Sequence, residues 1–583
     1  MGTCSCSSKG AQQAVESLDV APSTSTETQP QLQRHFPMMV VGVDTVLLMD
    51  ILPSFGELTL CEKLHEETPA MPIHFVSHQW LSFKHPDPDA TQLKRLQHVW
   101  RIFIDGKGES LFTANDYETF LTGVSPGSNS NLHSAETKIS SSVAAKAVID
   151  KVRLGTAWID FCSVPQMCDV EDKSGVDAHK AKQNAAIASI PAYVERSDFF
   201  WVLAPHARHR DTGAVCNFTT WRNRGWCRME EWTNNLAQRR KCPLVISDKQ
   251  LISTVGLVDY LCSLLGQEER SVCAGAFACC NQGHKILNRR GEEVAIPCDR
   301  VLVTEVLHDL YERRMQDTDE LVLHAFWVVL KRAVFACSHV YNRDYDPEEP
   351  VESFLKKIHL ASMSDRDPTL DTGPYWTACL SAHPQLLLRM QELDPGFLTS
   401  LNKVKMTPLM CMSMHYEEEV LPEILRRHPA LGKMENVNAC TGFGYTALGY
   451  AAQGFPKSME LILSLRADVH ASDGSGQTAL HAAVTGNQPQ CVKLLLDQRA
   501  DANVTDNADC TPLHLAAEVV SLIGHADDVA KVEVIKMLVE ARASCDARNA
   551  VNKTPLMIAA ESCLEDALPI LRTGGQPDSA QLS

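Results

Sequence analysis

The feature that most constrains this chain is a seven-residue pattern that recurs through its C-terminal third. It reads TPLMCMS at 407–413, TALGYAA at 446–452, TALHAAV at 478–484, TPLHLAA at 511–517 and TPLMIAA at 554–560. The threonines that begin these copies are 39, 32, 33 and 43 residues apart. A period near 33 is typical of an array in which each unit buries its apolar face only against its neighbours. The pattern therefore predicts a solenoid of stacked helical repeats.

Each copy carries the residues that start a helix. Threonine is a favourable N-cap, proline suits the first turn, and leucine with small alanines lets neighbouring helices approach closely. The pattern resembles the ankyrin repeat, which implies an all-α array at 371–575, a short tail at 576–583, and a surface that recognises a protein partner. The resemblance also implies that His481 and His514 bond to neighbouring backbone. The motif threonines are Thr407, Thr446, Thr478, Thr511 and Thr554.

Length, charge and cysteine content limit the number of domains and the classes of function that the chain can have. A chain of 583 residues is too long for one core, so several domains are expected. The net charge of −18 argues against nucleic-acid binding, which needs a basic face. The 21 cysteines contain no C-x-x-C pair, which favours reduced thiols in a cytoplasmic protein.

Residues 1–35 are rich in Ser, Thr, Gln and Pro and are predicted to be a disordered tail. Gly2 is a candidate for myristoylation, and Cys4 and Cys6 are candidates for palmitoylation, although Cys6 replaces the usual Ser or Thr. Two or three acyl chains would tether the protein to a membrane surface. The alternative is an unmodified tail, and the apolar runs at 38–52 and 321–341 carry too much charge to be convincing membrane spans.

Residues 36–240 alternate between apolar runs and helical patterns. The runs are MMVVGVDTVLLM, IHFVSHQW, TAWIDFCSV and DFFWVLAP, and helical patterns lie between them at 89–103 and 178–196. This alternation predicts a doubly wound α/β domain, with a polar insertion at 105–143. Residues 241–370 are predicted to form a mostly helical connecting region of unassigned function.

One group in that connecting region could be a metal site. It consists of Cys273, Cys279, Cys280, His284 and Cys298. Their spacing matches no common zinc pattern, so ordinary buried thiols are the preferred interpretation and no metal is assigned.

Three motifs follow one another in the α/β region: IHFVSHQW, WIDFCSVPQ and RGWCRMEEW. Together they resemble the fungal heterokaryon-incompatibility (HET) domain, with matches at Ser77 and Trp80, at Trp158–Asp160 with Gln166, and at Arg224–Trp226 with Glu230. His78, Leu81, Pro165 and Cys227 depart from the family pattern. The resemblance spans roughly 70–240.

HET domains are related to Toll/interleukin-receptor (TIR) domains, whose W-C-L-D-E-L motif is similar to WCRMEEW. In NAD-cleaving TIR domains the motif glutamate is catalytic, which here implies Glu230. The resemblance further implies an NAD pocket at the carboxyl ends of the strands, formed by Ser77, Trp80, Asp160 and Trp226. NAD would then be a substrate, and no resident cofactor is predicted.

Helical geometry separates the two glutamates of this motif. If a helix begins near Trp226, Glu230 lies on the shoulder of its apolar face, whereas Glu231 points toward solvent with Arg228 and Asn235. Burial would raise the pKa of Glu230, and a position in the first turn would oppose that shift. The alternative is a structural carboxylate that bonds to Ser77, His78 or a backbone amide. A Cys227–His78 nucleophile pair has no support from the family pattern.

These observations leave two functions open. One is an adaptor in which the repeats bind a protein partner and the HET/TIR-like domain acts as effector or self-association module. The other is an NAD glycohydrolase with Glu230 as its catalytic carboxylate.

Overall fold

The computed structural model describes residues 32–574 with gaps. The longest gaps are 121–150, 255–274, 318–330 and 332–347. Shorter ones fall at 33, 69–70, 113–116, 118–119, 152–154, 167–175, 238–240, 248–251, 276, 288–292, 296–297, 359, 366–373, 382–383, 400, 403–404, 415–419, 518–527 and 562–563. The predicted acylation sites Gly2, Cys4 and Cys6 therefore lie outside the described residues, as does most of the predicted insertion at 105–143, of which residues 105–112, 117 and 120 are described.

The N-terminal region is built on a mixed seven-stranded sheet. The strands of the described chain are β1 Met39–Gly42, β2 Leu64–Glu66, β3 Ile73–His78, β4 Thr156–Ile159, β5 Phe199–Leu203, β6 Ala207–Arg208, β7 Val215–Cys216, β8 Pro243–Ile246, β9 Ser253–Thr254, β10 Lys285–Leu287 and β11 Glu293–Ala295. The order in the sheet is β2-β1-β4-β3-β5-β8-β9. Strands β3, β4, β5 and β8 run parallel, and the two edges are antiparallel. Two short hairpins, β6–β7 and β10–β11, stand apart from it.

The α-helices fall into two groups. The N-terminal and connecting regions contain α1 Val43–Leu47, α2 Phe55–Leu60, α3 Thr91–Ile104, α4 Asp160–Ser163, α5 Val176–Ala188, α6 Ile190–Arg196, α7 Phe218–Arg222, α8 Gly225–Leu236, α9 Ala278–Asn281, α10 Asp299–Asp317 and α11 Val351–Lys357. The C-terminal region contains α12 Pro374–Ser381, α13 Pro384–Leu393, α14 Pro408–Met412, α15 Val420–Arg427, α16 Met434–Val437, α17 Ala447–Ala451, α18 Pro456–Ser464, α19 Ala479–Thr485, α20 Pro489–Asp497, α21 Pro512–Ala517, α22 Asp528–Glu540, α23 Pro555–Glu561 and α24 Leu568–Thr573. Single 3₁₀ turns lie at Gly108–Leu111, Phe397–Thr399, Pro429–Gly432 and Glu565–Ala567.

Helices cover both faces of the sheet. Consecutive residues of β3 separate into two buried cores, because side chains of a strand alternate between its faces. Phe75 packs in the core that contains α6, α8 and α10, and Val76 packs in the core that contains α3. The first of these cores continues without a break into the C-terminal helices.

The sheet departs from the sequence-based prediction at several points. The run at 38–49 is a strand only as far as Gly42 and then becomes α1, since short apolar runs do not distinguish strand from helix. Strands β8 and β9 extend the sheet beyond the predicted boundary at 240. The connecting region also contains the β10–β11 hairpin, so its described part is less helical than predicted.

The C-terminal helices stack in two layers. The helices that begin each motif copy pack in series, α14 on α17, then α19, α21 and α23. The second helices form a parallel series, α18 on α20, then α22 and α24. The alanines of the motif, such as Ala447, Ala479 and Ala517, are buried between these layers. Among the described residues, no helix combines the length and apolar character needed to cross a membrane.

Candidate functional site

Two groups of residues carry the sequence-based predictions: the carboxyl ends of β3 and β4, and the repeat surface. In the parallel part of the sheet, β3 has β4 on one side and β5 on the other, so the connections leaving it diverge at this point. In open α/β sheets such a switch point leaves a crevice outside the strand ends. Ser77, His78 and Trp80 come from the end of β3, Asp160 follows β4, and α8 brings Glu230; we call these five residues the strand-end cluster.

Glu230 lies in the part of the cluster next to α8. Its carboxyl accepts a hydrogen bond from Ser77 Oγ, and Ser77 Oγ accepts one from Trp221 Nε1 at 3.0 Å. Burial, then the nearby Asp160 charge, raises the pKa of Glu230 to about 8, with Ser77 and His78 acting in the opposite direction. Glu230 is 5% exposed, so at neutral pH it is mainly a buried, neutral acid.

His78 and Asp160 form the other part. His78 Nε2 and Asp160 Oδ1 are 2.6 Å apart, and Trp80 Nε1 donates to Asp160 Oδ2 at 3.0 Å. Burial lowers the pKa of His78, but the Asp160 carboxylate outweighs it and the net shift is upward. Burial likewise opposes ionisation of Asp160, yet His78 and Trp80 hold its pKa below the usual value. Each partner thus favours the charged form of the other, and the Asp160 side chain, 31% exposed, gives the pair access to solvent.

The predicted pocket residue Trp226 does not join this cluster. Its Nε1 donates to Asp299 Oδ2, at the start of α10, at 3.0 Å. Trp221, which the motif comparison missed, bonds to Ser77 instead. Trp221 lies five residues before Trp226, on the separate helix α7, so the periodicity of α8 could not identify it as part of the site.

The helical geometry of α8 also differs from the prediction. The helix begins at Gly225, so Glu230 lies in its second turn and not its first. Arg228 and Asn235 are buried, and Glu231 forms an ion pair with Arg222 at 3.3 Å, so the predicted solvent-facing side was wrong. The reason is that α8 packs against α6, α7 and α10, and this surrounds it with protein.

Cys227 does not form a nucleophile pair with the imidazole of His78. Its Sγ lies 3.7 Å from the backbone oxygen of His78, and burial raises the pKa of the thiol well above its ordinary value. A buried neutral thiol is a poor nucleophile.

The structure also brings together four of the five residues considered as a metal site. The ligand atoms of Cys279, Cys280, His284 and Cys298 all lie within 4.8 Å of one another. Cys273 lies outside the described residues.

In the repeats, the motif threonines cap helices, and the two motif histidines form hydrogen bonds to the next repeat. The backbone N–H of Thr478 donates to His481 Nδ1, so Nε2 carries the proton and donates to Cys510 O at 3.2 Å. His514 makes the same bridge from Thr511 to Lys553 O. Three threonines act as simple N-caps, accepting backbone N–H groups three residues on: Thr407, Thr446 and Thr554.

Backbone bonds also join the turns that precede the repeat helices. Gly474 N donates to Phe443 O, Asn507 N to Ser475 O, and Ala550 N to Ala508 O, at 2.7, 2.9 and 3.0 Å. We call these linked turns the repeat tips. They form one continuous ladder along the edge of the stack.

Comparison with protein families agrees with this geometry. A family model described as ankyrin repeats, in three copies, matches residues 454–532. Residues 454–532 are ankyrin repeats. A search of curated proteins finds no match to the chain. The resemblance of the N-terminal region to HET and TIR domains stays a prediction.

Proposed function

We propose that this protein is a signalling scaffold in which the ankyrin repeats bind a protein partner and the N-terminal α/β domain acts as effector or self-association module. The observation that carries the proposal is the ladder of repeat tips beside the stacked first helices. Solenoids of this kind use such extended surfaces for protein recognition.

Exposed apolar side chains near the C-terminal end of the repeat surface are suited to contact the partner. Val551, in the last repeat tip, is 56% exposed, and Met557, on the adjacent first helix α23, is 45% exposed. The tip aspartates are less available, because Asp473 and Asp506 accept backbone N–H groups of their own turns. Exposed aliphatic side chains on a rigid surface are suited to the centre of a protein interface.

The test is affinity capture of partners by the full-length chain and by a Val551→Arg/Met557→Arg variant. We expect the variant to fold and to lose partners that the wild type retains. Leu60→Arg is the matched control, because Leu60 is also an exposed aliphatic residue, at 79%, but lies at the end of α2 in the N-terminal region. Equal capture by the wild type and the double variant, or selective loss in the control, would refute the assignment to the repeats.

The strand-end cluster supports a second candidate function, cleavage of the nicotinamide–ribose bond of NAD. The specific observation is a neutral acid, Glu230, beside a partly exposed carboxylate, Asp160, at the switch point of the sheet. Perturbed carboxyl groups of this kind are concentrated at functional sites. Asp160 would meet the ribose hydroxyls, and Glu230 would stabilise the developing cation once ionised.

Incubation of the full-length chain with NAD tests this candidate. Turnover that is lost in Glu230→Gln and retained in Glu231→Gln would establish it, since Glu231 pairs with Arg222 and not with the cluster. Absence of turnover at high protein concentration would eliminate it without affecting the scaffold proposal.

We also propose that Gly2, Cys4 and Cys6 are acylated and tether the scaffold to a membrane surface. Mass spectrometry of the N-terminal peptide from eukaryotic cells would detect the acyl groups. Unchanged membrane fractionation in Gly2→Ala and in Cys4→Ser/Cys6→Ser would contradict this.

A further inference from the structure

The thiol cluster, formed by Cys279, Cys280, His284 and Cys298, has the dimensions of a metal site. Cys280 Sγ and Cys298 Sγ are 3.7 Å apart, and Cys279 Sγ and Cys280 Sγ are 4.0 Å apart. With zinc–sulfur bonds of about 2.3 Å, tetrahedral geometry places two sulfur ligands about 3.8 Å from one another. These two separations are close to that edge, and the remaining ligand atoms lie within 4.8 Å of one another.

The local fold explains how residues distant in sequence converge. Helix α9 presents Cys279 and Cys280, and the chain then turns through Gly283 and His284, whose φ angles are +61° and +59°. The β10–β11 hairpin carries the chain out and back to Cys298, immediately before α10. A left-handed histidine is uncommon, and here it accompanies a turn that directs the imidazole back to the cysteines.

Two further contacts fit a ligand role. His284 Nε2 is buried and has no hydrogen-bond partner among the described residues, which is unfavourable unless that nitrogen has another partner. The backbone N–H of Asp299 donates to Cys279 Sγ at 3.4 Å, as outer groups do around metal-bound thiolates.

We propose that Cys279, Cys280, His284 and Cys298 bind one structural Zn²⁺ ion. Three cysteines and one histidine are a common closed donor set, and four protein ligands leave no position for substrate. Binding would release the three thiol protons and couple metal affinity to folding.

This site would also position the connecting region against the first residues of α8. Asp299, next to the ligand Cys298, accepts the Trp226 indole N–H at 3.0 Å. The Phe277 ring, two residues before Cys279, packs so closely on Gly225 that a Cβ there would lie 2.1 Å from it. The metal would therefore hold the connecting region against the RGW segment that precedes Glu230.

The direct test is zinc content of the full-length chain purified from zinc-supplemented cells without chelator. We expect about one Zn²⁺ per chain in the wild type. His284→Asn should lose it, because Asn tolerates the left-handed backbone but does not supply the imidazole. Cys440→Ser, at an exposed cysteine outside the cluster, should retain full occupancy.

A second measurement covers variants that fail to fold. Replacing zinc by Co²⁺ in the wild-type chain should give the intense visible bands of tetrahedral thiolate coordination. The proposal is overturned by a purified wild-type chain with less than about a tenth of one zinc and no such Co²⁺ spectrum. Full zinc retention by a folded His284→Asn variant, or a Cys280–Cys298 disulfide in the freshly purified chain, would overturn it equally.

Discussion

Glu230→Gln should stabilise the N-terminal domain at neutral pH. The pKa of Glu230 is raised from 4.5 to about 8, chiefly by burial, so the folded chain keeps a proton that the unfolded chain gives up. Glutamine has nearly the same shape, stays neutral, and still offers an oxygen to Ser77 Oγ. The substitution therefore removes the free-energy cost of keeping Glu230 protonated in the folded chain, and it keeps the hydrogen bond from Ser77.

The magnitude follows from linkage. Between its unfolded and folded pKa values Glu230 binds more protons in the native state, so its contribution to stability falls as pH rises from 4.5 and levels off above about 8. Each pH unit is worth about 1.4 kcal/mol. At pH 7 the glutamine variant should be more stable than the wild type by on the order of 3 kcal/mol, and near pH 4.5 the two should be alike.

Urea unfolding followed by tryptophan fluorescence is the suitable assay. Seven of the nine tryptophans lie between Trp80 and Trp232, so the signal reports mainly on the N-terminal domain. Glu231→Gln is the control: it breaks the ion pair with Arg222 and should lower stability while leaving the pH dependence of Glu230 in place. If wild type and Glu230→Gln differ by the same free energy at pH 5 and pH 8, Glu230 is not a buried neutral acid and the argument fails.

Three further substitutions test other contacts. Asp160→Asn removes the anion that raises the pKa of His78. The ion pair stabilises the fold below about pH 6.5, and this contribution is lost as the pH rises through the pKa of His78 in the folded chain. Unfolding assays should therefore show a larger loss of stability at about pH 6 than at about pH 9. His514→Ala removes a bridge between repeats and should lower stability by about 1–3 kcal/mol in thermal unfolding. Gly444→Ala places a Cβ 2.9 Å from Asp473 Cα at φ +86° and should cost about 1–3 kcal/mol in the same assay. A loss below about 0.5 kcal/mol in either repeat variant would contradict the packing described.

The repeats could be predicted from sequence because their physics is local. The spacing of Thr478 and Thr511, together with the histidine three residues after each, encodes both the helix start and the bridge to the next unit. The parallel strands β3, β4 and β5 were also predictable, as short buried runs rich in aromatic and β-branched residues. Strand β9, Ser253–Thr254, lacks such a pattern, and the apolar run of β8 is only four residues long; their place in the sheet depends on pairing with β5 and with each other.

The candidate site was predictable only in part. Ser77, Trp80, Asp160 and Glu230 do lie together, because parallel strands bring their carboxyl ends to one edge. The position of Trp226 could not be inferred, since it depends on Asp299 in a distant segment. A helical wheel likewise cannot reveal that Arg222 and Asn223, at the end of α7, bind Arg228 and Glu231 on the side of α8 that it assigns to solvent.

Hydrogen–deuterium exchange of the full-length chain, free and bound to a captured partner, tests the central claim most directly. If the repeats recognise the partner, binding should slow exchange in the repeat tips and in first helices α19, α21 and α23. Exchange in β1, α1 and α2, at 39–60, should be unchanged. Protection confined to residues 36–246, with no change in the repeats, would contradict the scaffold proposal.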